Sequence, residues 1–471
     1  LKVTATKGIF MPLFFRASFI WLVCLSASQV FAMPSERAYG GGLAAEPKLS
    51  ALSRFNLDKP HKTNSLIVKF KSAGASALLE AGASVKRSFR SSGASLVNFA
   101  PESLRGTSLL SKAQEFEASG LVEWVEANAL LSTSALKRHP DDTDFDMLWG
   151  LRNQGQAGGL PGIDINVGPA WSSNTGSRSV IVGVIDTGID ALHPELAPNM
   201  WRNPGERGLD SQGKPKQSNG VDDDGNGYVD DISGWDFVDD DNSPMDDNGH
   251  GTHVAGTIGA KGNNGKGISG VAWNVSLVGL RFLDGSGSGT LADAIEAIEY
   301  ATNIGVHVTN NSWGGGGYSR AMKAAIDESA RKGILFVAAA GNESNDNDEI
   351  PSYPASYTSS NVLSVAALSA QGRAAGFSNW GLKSVHLSAP GVDIFSTTPG
   401  NTYDTLDGTS MAAPHVTGAA ALLKAAFPRL LLAQLRTRLT SNTRVLASLA
   451  GKSASGGMLD VARAFEVDEV A

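Results

Sequence analysis

The sequence predicts an α/β fold with a mainly parallel sheet, preceded by a small α+β unit. Three observations carry that expectation. From Val180 onward, short continuous apolar runs alternate with segments of helical period, the pattern of successive strand–helix–strand units. Glycine supplies 54 of the 471 residues, which favours tight turns between many short elements. The length leaves room for one large domain and one or two small segments.

Residues 1–32 read as a signal peptide. Arg16 precedes the apolar run ASFIWLVCLSAS, and Val30-Phe31-Ala32 follows as the cleavage region. Residue 1 is Leu, and Met11 is a candidate start. The run is short for a membrane span. It holds the only cysteine, Cys24, so the exported product is expected to carry no disulfide and no membrane anchor. Residues 33–61, with Pro34, Pro47 and Pro60, read as a linker. From Ser65, SLIVKF, SLVNF and LVEWVEANALLS read as strands and SALLEAG and LSKAQEFEASG as helices, an α+β unit assigned to residues 62–136. The tract STSALKRHPDDTD has proline, charge and no apolar period, and reads as an exposed junction.

Residues 137–471 form the main domain. Its buried-strand runs are VIVGVID, SLVGLRFL, VHVTNN, ILFVAAAG and NVLSVAAL. Helical patterns are LADAIEAIEYATNIG, SRAMKAAIDESARKG, a long apolar helix from near Ser410 and LLLAQLRTRLTSN. Charge divides with the domains. Residues 1–140 carry 17 Lys+Arg and 9 Asp+Glu, a balance of +8; residues 141–471 carry 22 and 38, a balance of −16. The acidic balance of the main domain argues against nucleic-acid binding, and opposite signs attract.

Three motifs concentrate the residue types of nucleophilic catalysis. In VIDTGID, Asp186 ends an apolar strand, the edge where function gathers in open α/β sheets. In NGHGTHVAG, His250 lies between glycines where a helix begins, with His253 one turn on. In GTSMAAPHVTGAAALL, Ser410 opens an apolar helix containing Pro414 and His415. Singly, a strand-end Asp is more often a turn residue, and a Ser at a helix start an N-cap. In the order Asp, His, Ser on an alternating frame they mean more. They resemble the motifs of the subtilisin-like serine peptidases, the subtilases, over roughly Asp144 to Phe465.

That resemblance implies a subtilisin-like three-layer fold and a protein or peptide substrate cut through an acyl-enzyme. Ser410 would be the nucleophile, His250 the base, Asp186 its partner, and Asn342 of VAAAGNES the oxyanion donor. Asn342-Glu343-Ser344 also spells a glycosylation sequon. NNSWGGGG would pair with an extended substrate, with Ser312, Trp313 and Gly314 walling a pocket. Gly287 of LDGSGSG would form the opposite edge, and Ser352 and Ala355 the floor. HGTH lacks the Glu of HEXXH, and His253 and His415 read as structural. The 62–136 unit resembles the family's inhibitory propeptide, a ferredoxin-like domain removed by self-cleavage, here between Ser132 and Asp142. A secreted, monomeric proenzyme without an organic cofactor is the expectation.

Residues 221–231, VDDDGNGYVDD, open a run in which eleven aspartates fall within residues 222–247. Such a loop repels itself unless a hard cation gathers its oxygens. The spacing matches the start of an EF-hand, but the closing Glu is replaced by Ser233 and neither flank reads as a helix. Calcium is expected without an EF-hand, with Asp222, Asp224, Asn226, Tyr228, Asp230 and Asp231 as candidate ligands. By resemblance GNNGKGISG forms a second calcium loop, with Asn264 and Glu195 of HPEL.

Overall fold

A computed structural model describes residues 55, 57, 61–71, 82–104, 107–129 and 139–466. The chain divides into two compact units between Thr133 and Ser134, inside the tract read as a junction. The signal peptide with Cys24, most of the linker, most of the SALLEAG helix and much of the cleavage region lie outside the described residues.

The first unit is a four-stranded antiparallel sheet. Its strands are β1 (His61–Phe70), β2 (Ala83–Ser88), β3 (Ser95–Phe99) and β4 (Val122–Ala129), in the spatial order β2-β3-β1-β4. Helix α1 (Leu109–Ala118) connects β3 to β4, capped by Ser108 on Ser111 N–H. This strand order is that of a ferredoxin-like sheet. Two differences from the sequence reading appear. Strand β2, ASVKRS, has five exposed residues out of six and so shows no apolar run. The linker assigned to 33–61 also runs too far. Phe55 and Leu57 are buried in the core with Leu66, Val68, Val97 and Val125, and Phe55 O accepts from Ala127 N at 2.8 Å. Each such side chain stabilises the unit by about 1.5–3 kcal/mol.

The second unit is built on a nine-stranded sheet ordered β14-β15-β11-β10-β9-β8-β5-β7-β6. The strands are β5 (Gly176–Asp186), β6 (Gly234–Asp236), β7 (Asn274–Arg281), β8 (Val308–Asn311), β9 (Leu335–Ala339), β10 (Val362–Leu368), β11 (Leu387–Pro390), β14 (Arg444–Val445) and β15 (Gly457–Met458). All neighbours are parallel except β14 with β15. A hairpin of β12 (Ile394–Thr398) and β13 (Thr402–Leu406) stands apart from this sheet. Beside β5, the chain places β7 on one side and later β8 on the other, so a crevice opens at the carboxyl end of β5.

Helices cover both faces, giving three layers. On one face lie α2 (His250–Gly259) and α5 (Thr409–Ala426), whose apolar residues share a core with Val182 and Val184 of β5. On the other lie α3 (Leu291–Asn303) and α4 (Arg320–Arg331), capped by Thr290 and Ser319, in a core with Ile185. Helix α5 is buried over most of its 18 residues, as expected for a helix apolar all round. Helix α6 (Leu432–Ser441) and the short α7 (Val461–Phe465) close the chain. Among the described residues no helix is long and apolar enough to cross a membrane.

Candidate active site

Side chains alternate along a strand, so Asp186 shares the face of Val182 and Val184 and points toward the layer holding α2. There His250, the first residue of α2, brings Nδ1 to 2.7 Å from Asp186 Oδ1. Only glycine permits this approach at position 251. A Cβ there would lie 2.1 Å from Gly188 O. Asp186 is fully buried, and its Oδ1 also accepts from Thr187 N at 2.8 Å. The carboxylate therefore fixes the proton of the neutral imidazole on Nδ1 and leaves Nε2 as an acceptor. Burial pulls the His250 pKa down, the charges of Asp186 and Asp246 pull it up, and the net shift is upward.

Ser410 lies in the first turn of α5, after Gly408. Its hydroxyl donates to Ser312 O at 3.0 Å, and Ser312 Oγ donates back to Ser410 O at 2.8 Å. The second bond has a local cause. Pro414 has no N–H for the carbonyl four residues earlier, and Ser312 supplies the missing donor. Asn310 and Thr417 extend this link into the core: Asn310 Nδ2 donates to Ser312 Oγ, and Thr417 Oγ1 to Asn310 Oδ1, both at 2.8 Å.

Asn342 follows β9. Its Oδ1 accepts from Thr409 N and Thr409 Oγ1, both at 2.9 Å, while Gly341 N donates to the same hydroxyl at 3.1 Å. A backbone N–H can only face the amide oxygen, so Nδ2 is turned away from Thr409 and remains a donor. Asn342 and Ser410 line one recess of about 400 Å³ together with Ser312, Trp313, Gly314, Glu343 and Ser352. His250 lines an adjoining groove of about 560 Å³ with Gly287, Phe282, Met322, Ser312, Trp313 and Gly314. All five substrate-site residues expected from sequence thus border these two depressions, and Ala355 is buried. Trp313 stands edge-on to Phe282 with ring centres 4.9 Å apart.

The two remaining histidines of the motifs are structural. His253 Nε2 meets Ile394 O at 2.8 Å and His415 Nδ1 meets Met411 O at 2.9 Å. Burial pushes both pKa values down to about 4.

The acidic loop is arranged differently from the candidate ligand set. Only two of those carboxylates converge, Asp224 and Asp231, and the third member is Glu206, which sequence reading missed. Their oxygens lie within 4.8 Å of one another. Asp222 instead accepts from Gly225, Asn226 and Gly227 N–H, and Asp230 from Asn219 and Gly220 N–H. Those two carboxylates brace the turns of the loop. Tyr228 donates its hydroxyl to Glu296 and packs its ring on Trp235 and Tyr300. Asn226 Nδ2 donates to Asp231 Oδ2 at 2.8 Å. No EF-hand helix flanks the loop; a 3₁₀ turn precedes it and β6 follows. Elsewhere Asn264 Nδ2 donates to Glu195 Oε2 at 3.0 Å, and burial pushes the buried Glu195 carboxyl up to about 7. Asp142, which accepts from Asn263 and Asn264 N–H, adds to that rise.

Comparison with known proteins agrees with this architecture. Residues 177–460 match the subtilase family. Subtilisin DY of Bacillus licheniformis is 41% identical over 264 residues, 56% of this chain and 83% of that protein. Thermitase of Thermoactinomyces vulgaris is 38% identical over 254 residues, 54% of this chain and 77% of that protein. A solved protease from Pseudoalteromonas arctica superposes with a TM-score of 0.55 at 29% identity, covering 69% of this chain and 98% of that one. The chain belongs to the subtilase family and is a serine-type endopeptidase.

Proposed function

We propose that the protein is a secreted, calcium-stabilised endopeptidase whose chemistry is performed by Asp186, His250, Ser410 and Asn342, and that it is made as a self-processing proenzyme. The observation that carries this reading is the 2.7 Å contact of His250 Nδ1 with the buried Asp186, which leaves Nε2 as an acceptor on a residue lining the groove. Rotation of the Ser410 hydroxyl from Ser312 O to His250 Nε2 would allow the imidazole to take its proton as Ser410 attacks the scissile carbonyl. The resulting imidazolium is stabilised by Asp186, then protonates the leaving amine. The developing oxyanion is met by Asn342 Nδ2 and the Ser410 N–H in the first turn of α5, the neighbouring Thr409 and Met411 N–H groups being bound to Asn342 Oδ1 and Gly408 O. An extended peptide along 312–314 and the 287 edge binds mainly through backbone hydrogen bonds. Asn342→Ala is expected to lower kcat by roughly 10²–10³ with little change in KM, a magnitude known from a subtilisin rather than derived from this chain. Steady-state kinetics on a peptide amide checks it; a KM effect with unchanged kcat would assign Asn342 to ground-state binding.

Calcium fits the Glu206–Asp224–Asp231 cluster. Glu206 is fully buried, and its Oε2 has no hydrogen-bond partner, while Asn203 donates to both Asp224 and Asp231. Burial raises the Glu206 and Asp231 pKa values, and for Glu206 the neighbouring aspartates add to it. Such hard oxygens suit calcium. A bound ion would tie the segment around Glu206 to the loop that leads toward His250, adding stability without touching the chemistry. Chelation is expected to lower Tm by on the order of 5 °C at calcium concentrations that saturate the site. Glu206→Gln reverses the order: with one buried carboxylate neutralised, it loses stability in calcium and gains it in chelator. Calorimetry in both buffers checks this, and identical Tm values for the wild type in both would refute it.

The first unit is proposed to be the inhibitory propeptide, on its ferredoxin-like strand order and its basic balance, and secretion is proposed from the N-terminal signal pattern.

A further inference from the structure

The segment entering α2 contains a second carboxylate, Asp246, that accounts for an unusual share of local hydrogen bonding. It is 6% exposed. Its Oδ1 accepts from Thr187 Oγ1 at 2.8 Å, Asn248 N at 3.0 Å and Gly249 N at 2.8 Å. Its Oδ2 accepts from Thr252 N at 2.8 Å and Thr252 Oγ1 at 2.6 Å. Five donors from four residues converge on it, three of them backbone N–H groups that can only donate. Thr187 in turn accepts from Gly251 N at 2.9 Å through its hydroxyl and donates its own N–H to Asp186. Asp246 therefore clamps the end of β5, at residues 186–187, to the first turn of α2, at residues 249–252.

The position of His250 gives the clamp an electrostatic consequence. A helix N-terminus carries about half a positive charge, which opposes an imidazolium placed there. Helix α2 is ten residues long, and its N-cap Gly249 has no side chain to offset that charge. Asp246 takes two of the terminal N–H groups and supplies the negative charge instead. We propose that Asp246 is a positioning residue of the reaction: it holds the Asp186–His250 pair in register and cancels the helix charge that would disfavour protonated His250. The upward pull of Asp246 on His250 agrees with this role.

The other charged groups around His250 are accounted for. Asp186 is its direct partner. His253, one turn on, is neutral because burial pushes its pKa down to about 4. Asp247 is bound by Arg281 at 3.1 Å, and Arg281 also holds Asp239 at 2.8 Å and Asp236. Asp190 accepts from Leu192 and Gly400 N–H. Glu343, beside Asn342, accepts from Asn379 at 2.6 Å. Asp246 is thus the carboxylate besides Asp186 that is tied by hydrogen bonds to the His250 turn.

The inference rests on His250 being the base, and His250→Ala tests that separately: an active His250→Ala enzyme would remove the reading itself. For Asp246 the measurement is the pH dependence of kcat/KM in Asp246→Asn. The expected result is a plateau kcat lower by about tenfold, KM within twofold, and an acid limb moved to lower pH by roughly half to one unit. The direction follows because an uncompensated helix charge makes His250 less basic. Asp246→Glu should return the limb toward its wild-type position even where it lowers Tm, and Thr252→Ala should lower Tm without moving the limb. An Asp246→Asn enzyme with a wild-type acid limb, and activity lost only in step with Tm, would overturn the proposal. Should Asp246→Asn fail to fold, Thr187→Val breaks the clamp while keeping both charges. A lower kcat at unchanged KM is then expected, and a wild-type kcat would overturn the clamp.

Discussion

Ser410→Ala is expected to reduce kcat by about 10⁶, a loss known for a subtilisin that loses its nucleophile. The reason is structural as well as chemical. The hydroxyl is the only group of that side chain able to attack, and its backbone is held by Ser312 through the carbonyl that Pro414 leaves unpaired. Removing the hydroxyl leaves that carbonyl contact, the Asn342–Thr409 contacts and the groove in place. The variant should therefore fold and bind peptides while failing to cleave them. It should also remain as a single chain, since the proposed cut between Ser132 and Asp142 needs the same hydroxyl. Mass spectrometry of the secreted variant and its wild type reads both effects. A variant that processed itself and digested casein would exclude Ser410 as nucleophile.

Asp186→Asn is expected to lower kcat by up to about 10⁴, the loss seen when a triad aspartate is amidated in another serine peptidase fold and the imidazole also takes the wrong tautomer. Thr187 N–H and His250 Nδ1 meet the same oxygen. In the amide, the Thr187 donor keeps that oxygen in place, so the imidazole retains its tautomer and what is lost is the charge. Two consequences follow. The imidazolium formed during attack loses its main stabilisation. The acid limb of kcat/KM moves to lower pH, because the attraction that raised the His250 pKa is removed while burial, which lowers it, remains. Loss of activity with an unmoved limb would mean that Asp186 acts only on structure.

The sequence made the chemistry legible where type and backbone geometry coincide in a few adjacent residues. Asp186 at the end of a buried run, His250 between glycines and Ser410 before an apolar helix are such cases. Asn342 and the walls at 312–314 came through family resemblance, and the structure places them on the same depression as Ser410. The long-range supports were silent. Thr409 orients Asn342 from 67 positions away in the chain, and Thr187 meets Asp246 across 59. Glu206 lies in NPGER, with no alternation to mark it, and only folding brings it beside Asp224 and Asp231. Strands divided in the same way. Continuous apolar runs such as VIVGVID are buried on both faces of a parallel sheet and stood out. The exposed β2 and the two-residue β14 and β15 did not, because pairing alone, with little apolar content, defines them. Phe55 and Leu57 were lost in a proline-spaced tract although they fill the core of the first unit.

Fluorophosphonate labelling followed by peptide mapping is the most direct test that this arrangement is a working nucleophile. The active enzyme should carry one adduct, on Ser410, and lose it with His250→Ala while the fold persists. An enzyme that digests casein but labels elsewhere, or not at all, would contradict the assignment.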